Sequence, residues 1–303
     1  MTVAVSAAAR ARQHAKRSSV ANRWGWLMVS PYLLHLLLFS AGPILAALYF
    51  SFCRYELIQA PKWLGIANYV RMVHDKNVGD ALSNSIFYII TFVPSSLVIS
   101  LAVAVALNQR IRGMSVFRAL FFLPVVSSGV GIALLWTWLL NKHGLVNHFL
   151  TLAGIKPINF FGFQWALKSI VIMSVWSSLG SLMVYWLAGL QGVPQELYEA
   201  AQIDGAGAWQ RFAKVTLPFL TPVAFFLIIM GIIGSFQVFT ATYIMTNGGP
   251  GNATLTIALY IYQRAFTGYE MGYAAALAYL LFAILSLITF MQFRFQSRWV
   301  FYQ

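Results

Sequence analysis

The chain has 303 residues, of which 60% are hydrophobic, 16% are aromatic and only 9% are charged. Charged residues make up about a quarter of an average water-soluble domain, so this composition excludes an ordinary soluble protein and predicts a membrane protein. The net charge of +13 would also suit a nucleic-acid-binding protein. The basic residues lie between long apolar segments, however, which favours a role in membrane topology and contact with lipid headgroups over binding of nucleic acid.

The N-terminal arm, residues 1–26, is basic and is predicted to be cytoplasmic. Within it, residues 1–22 are predicted to be disordered or to lie on the membrane surface. An apolar stretch of about 26 residues follows it. Because the apolar core of a cleaved signal peptide is only about 7–15 residues long, we interpret this stretch as a retained membrane span. The basic residues that precede it are Arg10, Arg12, Lys16, Arg17 and Arg23.

Long uncharged windows recur along the rest of the chain. A helix that rises about 1.5 Å per residue needs about 20 residues to cross a hydrocarbon core of about 30 Å. The sequence therefore predicts an all-α, polytopic membrane protein with six transmembrane helices within residues 27–294, followed by a cytoplasmic tail, 295–303. The six windows without Asp, Glu, Lys or Arg are 27–52, 86–108, 119–140, 169–190, 219–241 and 271–293.

The basic residues are distributed unevenly between the two sides of the membrane. Twelve of the 20 Lys and Arg residues fall in the arm, the second and fourth connections and the tail. Short loops rich in Lys and Arg are retained in the cytoplasm, so both termini are predicted to be cytoplasmic. The only cysteine, Cys53, would then lie at the outer end of the first span, where we expect an impermeant reagent to reach it, and it cannot form a disulfide within the chain.

Helix-breaking residues occur inside several windows. Proline removes an amide hydrogen bond and kinks a helix, and membrane helices tolerate such breaks where the freed groups face protein or a watery cavity. The third window, with Pro124, is therefore a candidate cavity wall, although a kink that serves packing alone is an equal alternative. The breakers are Pro43, Pro94, Pro124, Gly129, Gly131 and Gly180.

The fourth connection, 193–218, is amphipathic and is predicted to form a helix-turn-helix across the cytoplasmic face. Pro194 suits a first helical position, and Asp204-Gly205 predicts a sharp turn. A second short helix is expected from Trp209 to Val215, before Pro218 leads into the fifth span.

This connection also has the composition of a docking surface. Small residues let another surface approach the turn closely, and the acids would pair with a partner that carries Arg or Lys in a cleft. A simple amphipathic helix on the membrane surface is the alternative. The small residues are Ala200, Ala201, Gly205, Ala206, Gly207 and Ala208, and the acids are Glu196, Glu199 and Asp204.

The spacing of this connection resembles a known family motif. Glu199-Ala200-Ala201, with Gly205 six residues after the Glu and Val215-Thr216-Leu217-Pro218 further on, resembles the EAA loop of membrane subunits of bacterial ATP-binding-cassette importers. Three other stretches resemble the carbohydrate, or maltose-permease-like, branch: 64–69, 117–124 and 246–250. The resemblance extends from about residue 27 to the end, without the extra spans and large external domain of the maltose protein.

The resemblance implies the type I importer permease fold in a bacterial or archaeal cytoplasmic membrane. It also implies several partners: a second homologous permease, a dimer of ATP-binding-cassette ATPase subunits, and a periplasmic or lipid-anchored solute-binding protein. No G-x-x-x-x-G-K-[ST] phosphate loop occurs in the chain, so ATP and Mg should be bound by the ATPase partner, and this chain should be neither an enzyme nor a cofactor-binding protein. The implied ATPase-coupling residues are Glu199, Ala200, Ala201, Asp204, Gly205, Ala206 and Gly207.

The resemblance also implies a sugar cavity in the middle of the membrane. Hydroxyl and aromatic groups suit a neutral sugar, although each Ser could equally bond its own helix backbone. Ser174, Ser178 and Ser181 are spaced so as to share one helical face. The substrate-binding candidates are Ser127, Ser174, Ser178, Ser181, Ser235, Tyr185 and Gln237, with Trp176, Phe236 and Tyr243 as further aromatic groups. Residues 247–251 are predicted to form a tight outer turn.

Two rival functions remain at this point. An ion-driven carrier or channel normally buries a charged side chain along its ion path, and the six windows contain none. An importer of glycerol phosphate or another polyol is a close relative within the same class. A phosphorylated cargo would favour a basic residue in the cavity, and none lies deep in a window. His35 has no second intramembrane His or acid beside it, so no metal site is expected.

Overall fold

The computed structural model describes residues 24–109 and 113–301. The predictions for the arm up to Arg23, and for Arg110 and Arg112 in the second connection, lie outside these residues. The described part of the chain is mostly helical. Its helices are α1 (Trp24–Ser51), α2 (Ala67–His74), α3 (Lys76–Leu107), α4 (Met114–Val126), α5 (Gly129–Leu139), α6 (Leu145–Leu152), α7 (Ala166–Gln191), α8 (Gln195–Ile203), α9 (Ala208–Phe236), α10 (Thr240–Thr246), α11 (Ile257–Tyr262) and α12 (Met271–Phe295).

Five of these helices, α1, α3, α7, α9 and α12, are long and apolar enough to cross a membrane, and α4 with α5 forms a sixth candidate span that is bent by 100°. The predicted kink in the third window is thus a full break. It lies at Ser127 and Ser128, whose backbones are extended (ψ 150° and 130°), rather than at Pro124 itself. The first span begins at Trp24, within the predicted arm, and the last helix ends at Phe295.

The helix α7 forms the centre of the bundle. In its most apolar window 56% of the residues are buried, against none in α1, and it packs against α3, α4 and α9. Gly180 does not break α7, contrary to the prediction, because the helix continues through it. A Cβ atom at Gly180 would lie 2.3 Å from the carbonyl oxygen of Phe121, so glycine here permits close contact between α7 and α4.

The segment after α1 forms a small folded unit at one end of the bundle. Strand β1 (Cys53–Arg54) pairs antiparallel with β2 (Lys62–Trp63). The buried Asn68 side chain donates hydrogen bonds to the carbonyl oxygens of Ser51 and Cys53. Cys53 is fully buried, so the expectation that an impermeant reagent reaches it was wrong.

A polar network joins this unit to the segment before α12. The Asp75 carboxylate accepts hydrogen bonds from the backbone amide of Asn77, at the start of α3, and from the hydroxyls of Tyr260 and Tyr273. Glu270 forms ion pairs with Arg71, at 2.9 Å, and with Arg264, at 3.4 Å. The guanidinium of Arg71 also lies 4.1 Å from the centre of the Tyr273 ring.

This network makes the stability of the fold depend on pH. Partial burial alone would raise the pKa of Asp75, but the hydrogen bonds from Tyr260, Tyr273 and the Asn77 amide outweigh it and hold the pKa below its ordinary value. A lowered pKa stabilises the fold above the unfolded-state pKa of about 4, and this contribution is lost as pH falls through the folded-state pKa. We expect Asp75→Asn to lower the unfolding temperature by about 2–4 °C at pH 7.

The difference between Asp75→Asn and the unaltered protein should narrow as the pH is lowered from 7 to below about 4, because the unfolded chain takes up a proton at Asp75 before the folded chain does. It should vanish once the pH lies below the folded-state pKa of Asp75. Thermal unfolding of the purified permease in detergent across this range measures it. Glu56→Gln is the control, since the ion pair of Glu56 is with the exposed Arg54 and exposed pairs contribute little. A difference that stays constant with pH would contradict this account of Asp75.

Candidate functional site

The short helix α8 ends in a tight turn that its sequence requires. The amide of Ala206 donates to the Ala201 carbonyl at 2.9 Å, and the amide of Gly205 donates to the Gln202 carbonyl at 3.1 Å. This pair of bonds is the Schellman motif, which needs a left-handed residue just after the helix. Gly205 supplies it, with φ of 77°. No atom lies within 4 Å of a Cβ at Gly205, so backbone conformation, not crowding, accounts for the glycine.

The turn leads directly into α9, and side-chain contacts hold α8 against the start of α9. Pro194 caps α8 one residue before the predicted position. The predicted separate helix from Trp209 to Val215 was wrong, because α9 runs from Ala208 to Phe236 through a π-helical segment. Two side-chain contacts fix the junction: the Tyr198 and Thr216 hydroxyls are 2.8 Å apart, and the Gln210 side-chain oxygen accepts the Gly207 amide at 2.9 Å.

The surface of α8 is acidic and apolar, and nothing else in the described chain covers it. Glu196, Glu199 and Asp204 are all exposed. The ion pairs among residues 24–109 and 113–301 involve only Glu56 and Glu270 as acids. Ile203 and Trp209, which flank the turn, are 87% and 74% exposed. Exposed large apolar side chains beside free carboxylates are typical of an interaction surface.

A cavity of about 410 Å³, here called the inner cavity, lies between α3, α7 and α9. Four of the predicted substrate-binding residues line it: Ser178, Ser181, Tyr185 and Ser235. The full lining is Tyr88, Phe92, Val93, Ser96, Leu97, Ser178, Ser181, Leu182, Tyr185, Phe226, Leu227, Met230, Gly231, Gly234, Ser235 and Val238. Hydroxyl groups and aromatic faces are therefore set in a mostly apolar wall, as in many small-molecule sites.

The serine hydroxyls of this inner cavity already donate to their own helices. Ser178 donates to the Val175 carbonyl at 3.0 Å, and Ser235 donates to the Gly231 carbonyl at 2.6 Å. Ser181 donates to the Ser178 carbonyl at 3.0 Å. A hydroxyl that has given its proton keeps lone pairs that accept hydrogen bonds. These groups can therefore accept from the hydroxyls of a ligand while remaining bonded to the backbone.

The other three candidates do not line the inner cavity. Ser127 lies exposed at the break between α4 and α5, where it donates to the Leu123 carbonyl at 3.1 Å. Ser174, one turn before Ser178, is buried in the centre of the bundle. Gln237 is exposed just past the end of α9.

Residues of α3 complete the cavity, and they are not among the residues predicted from the sequence. Tyr88 and Ser96 lie eight residues apart in the second uncharged window, a spacing that places them near one helical face. Phe226 and Met230 on α9 were missed as well. The pair of polar residues on α3 was the only signal, and it does not identify which helix α3 faces.

Comparisons with known proteins agree with the fold. The profile of the family described as binding-protein-dependent transport system inner membrane component matches residues 64–300. The chain is 38% identical to the probable ABC transporter permease protein YesP of Bacillus subtilis (strain 168), with 93% of each chain covered. It is 36% identical to the lactose transport system permease protein LacF of Rhizobium radiobacter, over 89% of this chain and 92% of that one.

A third relative and a solved structure extend the comparison. The sn-glycerol-3-phosphate transport system permease protein UgpA of Escherichia coli O157:H7 is 32% identical, over 93% of this chain and 97% of that one. A bacterial alginate ABC transporter, solved with an alginate pentasaccharide-bound periplasmic protein, has a similar fold, with a TM-score of 0.82 at 20% identity over 93% of this chain and 96% of that one. The all-α importer permease fold is confirmed, and the chain belongs to the binding-protein-dependent transport system inner membrane components, as a permease subunit of an ATP-binding-cassette transporter.

Proposed function

We propose that this permease forms half of the translocation pathway of an importer for a neutral sugar or oligosaccharide. The observation that carries the proposal is the lining of the inner cavity. It combines hydroxyl acceptors with the rings of Tyr88, Tyr185 and Phe226, and the described residues place no Lys or Arg in it. A sugar needs hydrogen-bond partners for its hydroxyls and aromatic faces for its apolar patches. The lactose permease among its relatives supports the same cargo class.

The partners follow from the surfaces left free. A second, homologous permease would supply the other half of the pathway and cover part of α1, which buries none of its apolar window within this chain. A dimer of ATPase subunits, which would bind ATP and Mg, would dock on α8. A solute-binding protein would deliver the sugar on the other side of a bacterial or archaeal cytoplasmic membrane.

Coupling would run from α8 to the cavity through α9. Glu199 would pair with a basic group of the ATPase, the small residues would admit close contact, and Gly205 would hold the turn. Tyr198 joins α8 to Thr216 on α9, and α9 continues without interruption to Ser235 in the inner cavity. A displacement of α8 on closure of the ATPase would therefore move one wall of the cavity. The proposed coupling residues are Glu199, Ala200, Ala201, Asp204, Gly205, Ala206 and Gly207.

Glycerol phosphate is the second candidate cargo, because the relative UgpA, at 32% identity, is named as a permease of an sn-glycerol-3-phosphate transport system. A phosphate dianion buried without a positive partner is strongly disfavoured. Since the inner cavity has no basic group among the described residues, a neutral sugar is the better fit.

ATP-dependent uptake tests the cargo. The chain would be reconstituted in proteoliposomes with its partner permease, ATPase and solute-binding protein, and offered radiolabelled lactose, maltose, trehalose and glycerol 3-phosphate separately. We expect uptake of at least one neutral sugar that requires ATP inside the vesicle and survives an uncoupler. Uptake of glycerol 3-phosphate alone, or uptake abolished by the uncoupler, would contradict the proposal.

The proposed orientation, with both termini cytoplasmic, has its own test. Because Cys53 is buried, the unaltered chain should resist an impermeant maleimide. Ile58→Cys places a thiol at a 97% exposed position between β1 and β2 and should be labelled in intact cells. Ile203→Cys, on α8, should be labelled only in inverted vesicles. The reverse pattern would overturn the orientation.

A further inference from the structure

A second cavity, of about 390 Å³, lies at the end of the bundle opposite α8. Its lining comes from the start of α3 and from the segment after α9, and includes Asn77, Tyr243, Asn247, Asn252, Gln263 and Arg264. The helix α8 lies where α7 ends and α9 begins, so the second cavity is on the outer side in the proposed orientation. The predicted tight outer turn forms its edge, with left-handed backbones at Asn247 and Gly248.

Two of the carboxamides in this outer cavity are available to a ligand. Asn252 is committed, because its side-chain nitrogen donates to Asn77 at 2.8 Å and to Asp80 at 3.2 Å. The side chains of Asn247 and Gln263 line the cavity and form no hydrogen bond with any other described residue. A carboxamide both donates and accepts, which matches a sugar hydroxyl that does the same.

The one arginine of the outer cavity is already neutralised. Arg264 donates to the Tyr260 hydroxyl at 2.7 Å and forms an ion pair with Glu270 at 3.4 Å. Glu270 is shared with Arg71, at 2.9 Å. The second negative charge comes from Asp75, whose carboxylate accepts from the same Tyr260 hydroxyl and whose pKa is lowered in part by the charge of Arg264. Its charge is therefore balanced within the chain, and a free anion gains little by approaching it. The chemistry of the cavity favours a neutral, polyhydroxylated ligand over a phosphate.

Aromatic rings connect the outer cavity with the protein surface and with the inner cavity. The Tyr243 ring, which is 38% exposed, stacks on Phe239 with 5.3 Å between ring centres. Tyr262 lies 5.5 Å from Tyr243 and 5.1 Å from the exposed Phe266. The exposed face of an aromatic ring is a surface on which the apolar face of a sugar ring can stack. A π-helical segment, which often marks a functional site, begins at Gln263.

One short stretch of chain contributes to both cavities. Ser235 and Val238 line the inner cavity, whereas Tyr243 and Asn247 line the outer one. Phe239, directly after Val238, provides the ring on which Tyr243 stacks. A ligand held against Tyr243 is therefore one short helix away from the wall of the inner cavity.

We propose that the outer cavity is a second saccharide subsite, which holds the cargo before it reaches the inner cavity. Asn247 and Gln263 form hydrogen bonds with its hydroxyls, and Tyr243 stacks on its ring. This inference rests on the proposed function, since it assumes a neutral sugar as cargo.

Saturation-transfer NMR on the complete, nucleotide-free importer without its solute-binding protein tests the subsite. The probe is whichever of lactose, maltose and trehalose the unaltered importer takes up. Gln263→Leu removes a carboxamide at nearly constant size, and Asn247→Gly removes the other while keeping the left-handed backbone. Each should weaken sugar binding roughly three- to tenfold, as expected for one hydrogen bond.

The aromatic contact has a paired test. Tyr243→Leu should weaken binding by a similar factor, and Tyr243→Phe should restore it, because the ring is retained. Gln59→Leu, the same change as Gln263→Leu at an exposed site between β1 and β2, is the matched control. Normal binding by all three weakening variants, or no measurable binding by the unaltered importer, would overturn the subsite while leaving sugar uptake intact. Failure of the unaltered importer to take up any neutral sugar would overturn the proposed function and the subsite together.

Discussion

Glu199→Lys is expected to abolish substrate-stimulated ATP hydrolysis by the assembled importer while leaving the amount of permease in the membrane unchanged. Glu199 is exposed on α8 and forms no ion pair within the described chain. If it meets a basic side chain of the ATPase, lysine replaces attraction by repulsion, and like charges at an interface cost several kcal/mol. Since about 1.4 kcal/mol is a factor of ten in affinity, association should weaken by orders of magnitude.

Membrane abundance, co-purification of the ATPase and stimulated hydrolysis would be measured for Glu199→Lys beside a control. Gln191→Lys introduces the same lysine side chain at the exposed end of α7, where a basic residue suits the helix dipole. Gln210→Lys would be a poor control, because the Gln210 side chain caps the Gly207 amide. Full co-purification and uptake with Glu199→Lys would show that this residue does not carry the docking.

The turn after α8 was predictable because its causes are local. Asp204-Gly205 predicts a left-handed stop from two adjacent residues, and the turn forms there. The continuity of α9 was not predictable from Pro218. Within α9, the π-helical segment from Phe212 to Thr216 gives way to regular α-helix at Leu217, so Pro218 lies in the first turn of that regular part. The first turn of an α-helix tolerates proline. The backbone thus accommodates Pro218, which the sequence alone suggests as the boundary between two helices.

For the inner cavity, the sequence could predict which residues share a face of one helix, but not which helices meet there. The spacing of Ser178, Ser181 and Tyr185 places them on one face of α7, and all three line the cavity. Ser174 shares the spacing but is buried, because periodicity identifies a face and not the depth at which a neighbouring helix covers it. Ser127 depended on the direction of a 100° break, which no local pattern specifies.

Gly180 shows how a sequence signal and the structure can differ. Its replacement has the second large expected effect. Glycine inside a helix suggests a break, whereas the structure explains it by contact between helices. A Cβ atom at Gly180 would lie 2.3 Å from the Phe121 carbonyl oxygen and 2.9 Å from the Phe122 Cα. These are backbone atoms, so no side-chain rotation relieves the clash, and α4 would have to move away from α7.

We therefore expect Gly180→Ala to lower the unfolding temperature of the permease by roughly 2–12 °C, since overpacking costs about 1–3 kcal/mol and each kcal/mol shifts the midpoint by about 2–4 °C. Thermal unfolding in detergent measures it. Gly79→Ala is the matched control, because Gly79 lies in helix α3 with no atom within 4 Å of an added Cβ. Alanine there should leave the midpoint unchanged or raise it slightly, through its higher helix propensity. If both variants unfold at the temperature of the unaltered protein, α4 and α7 do not approach each other as closely as the structure describes, and Gly180 is a replaceable residue of an ordinary helix.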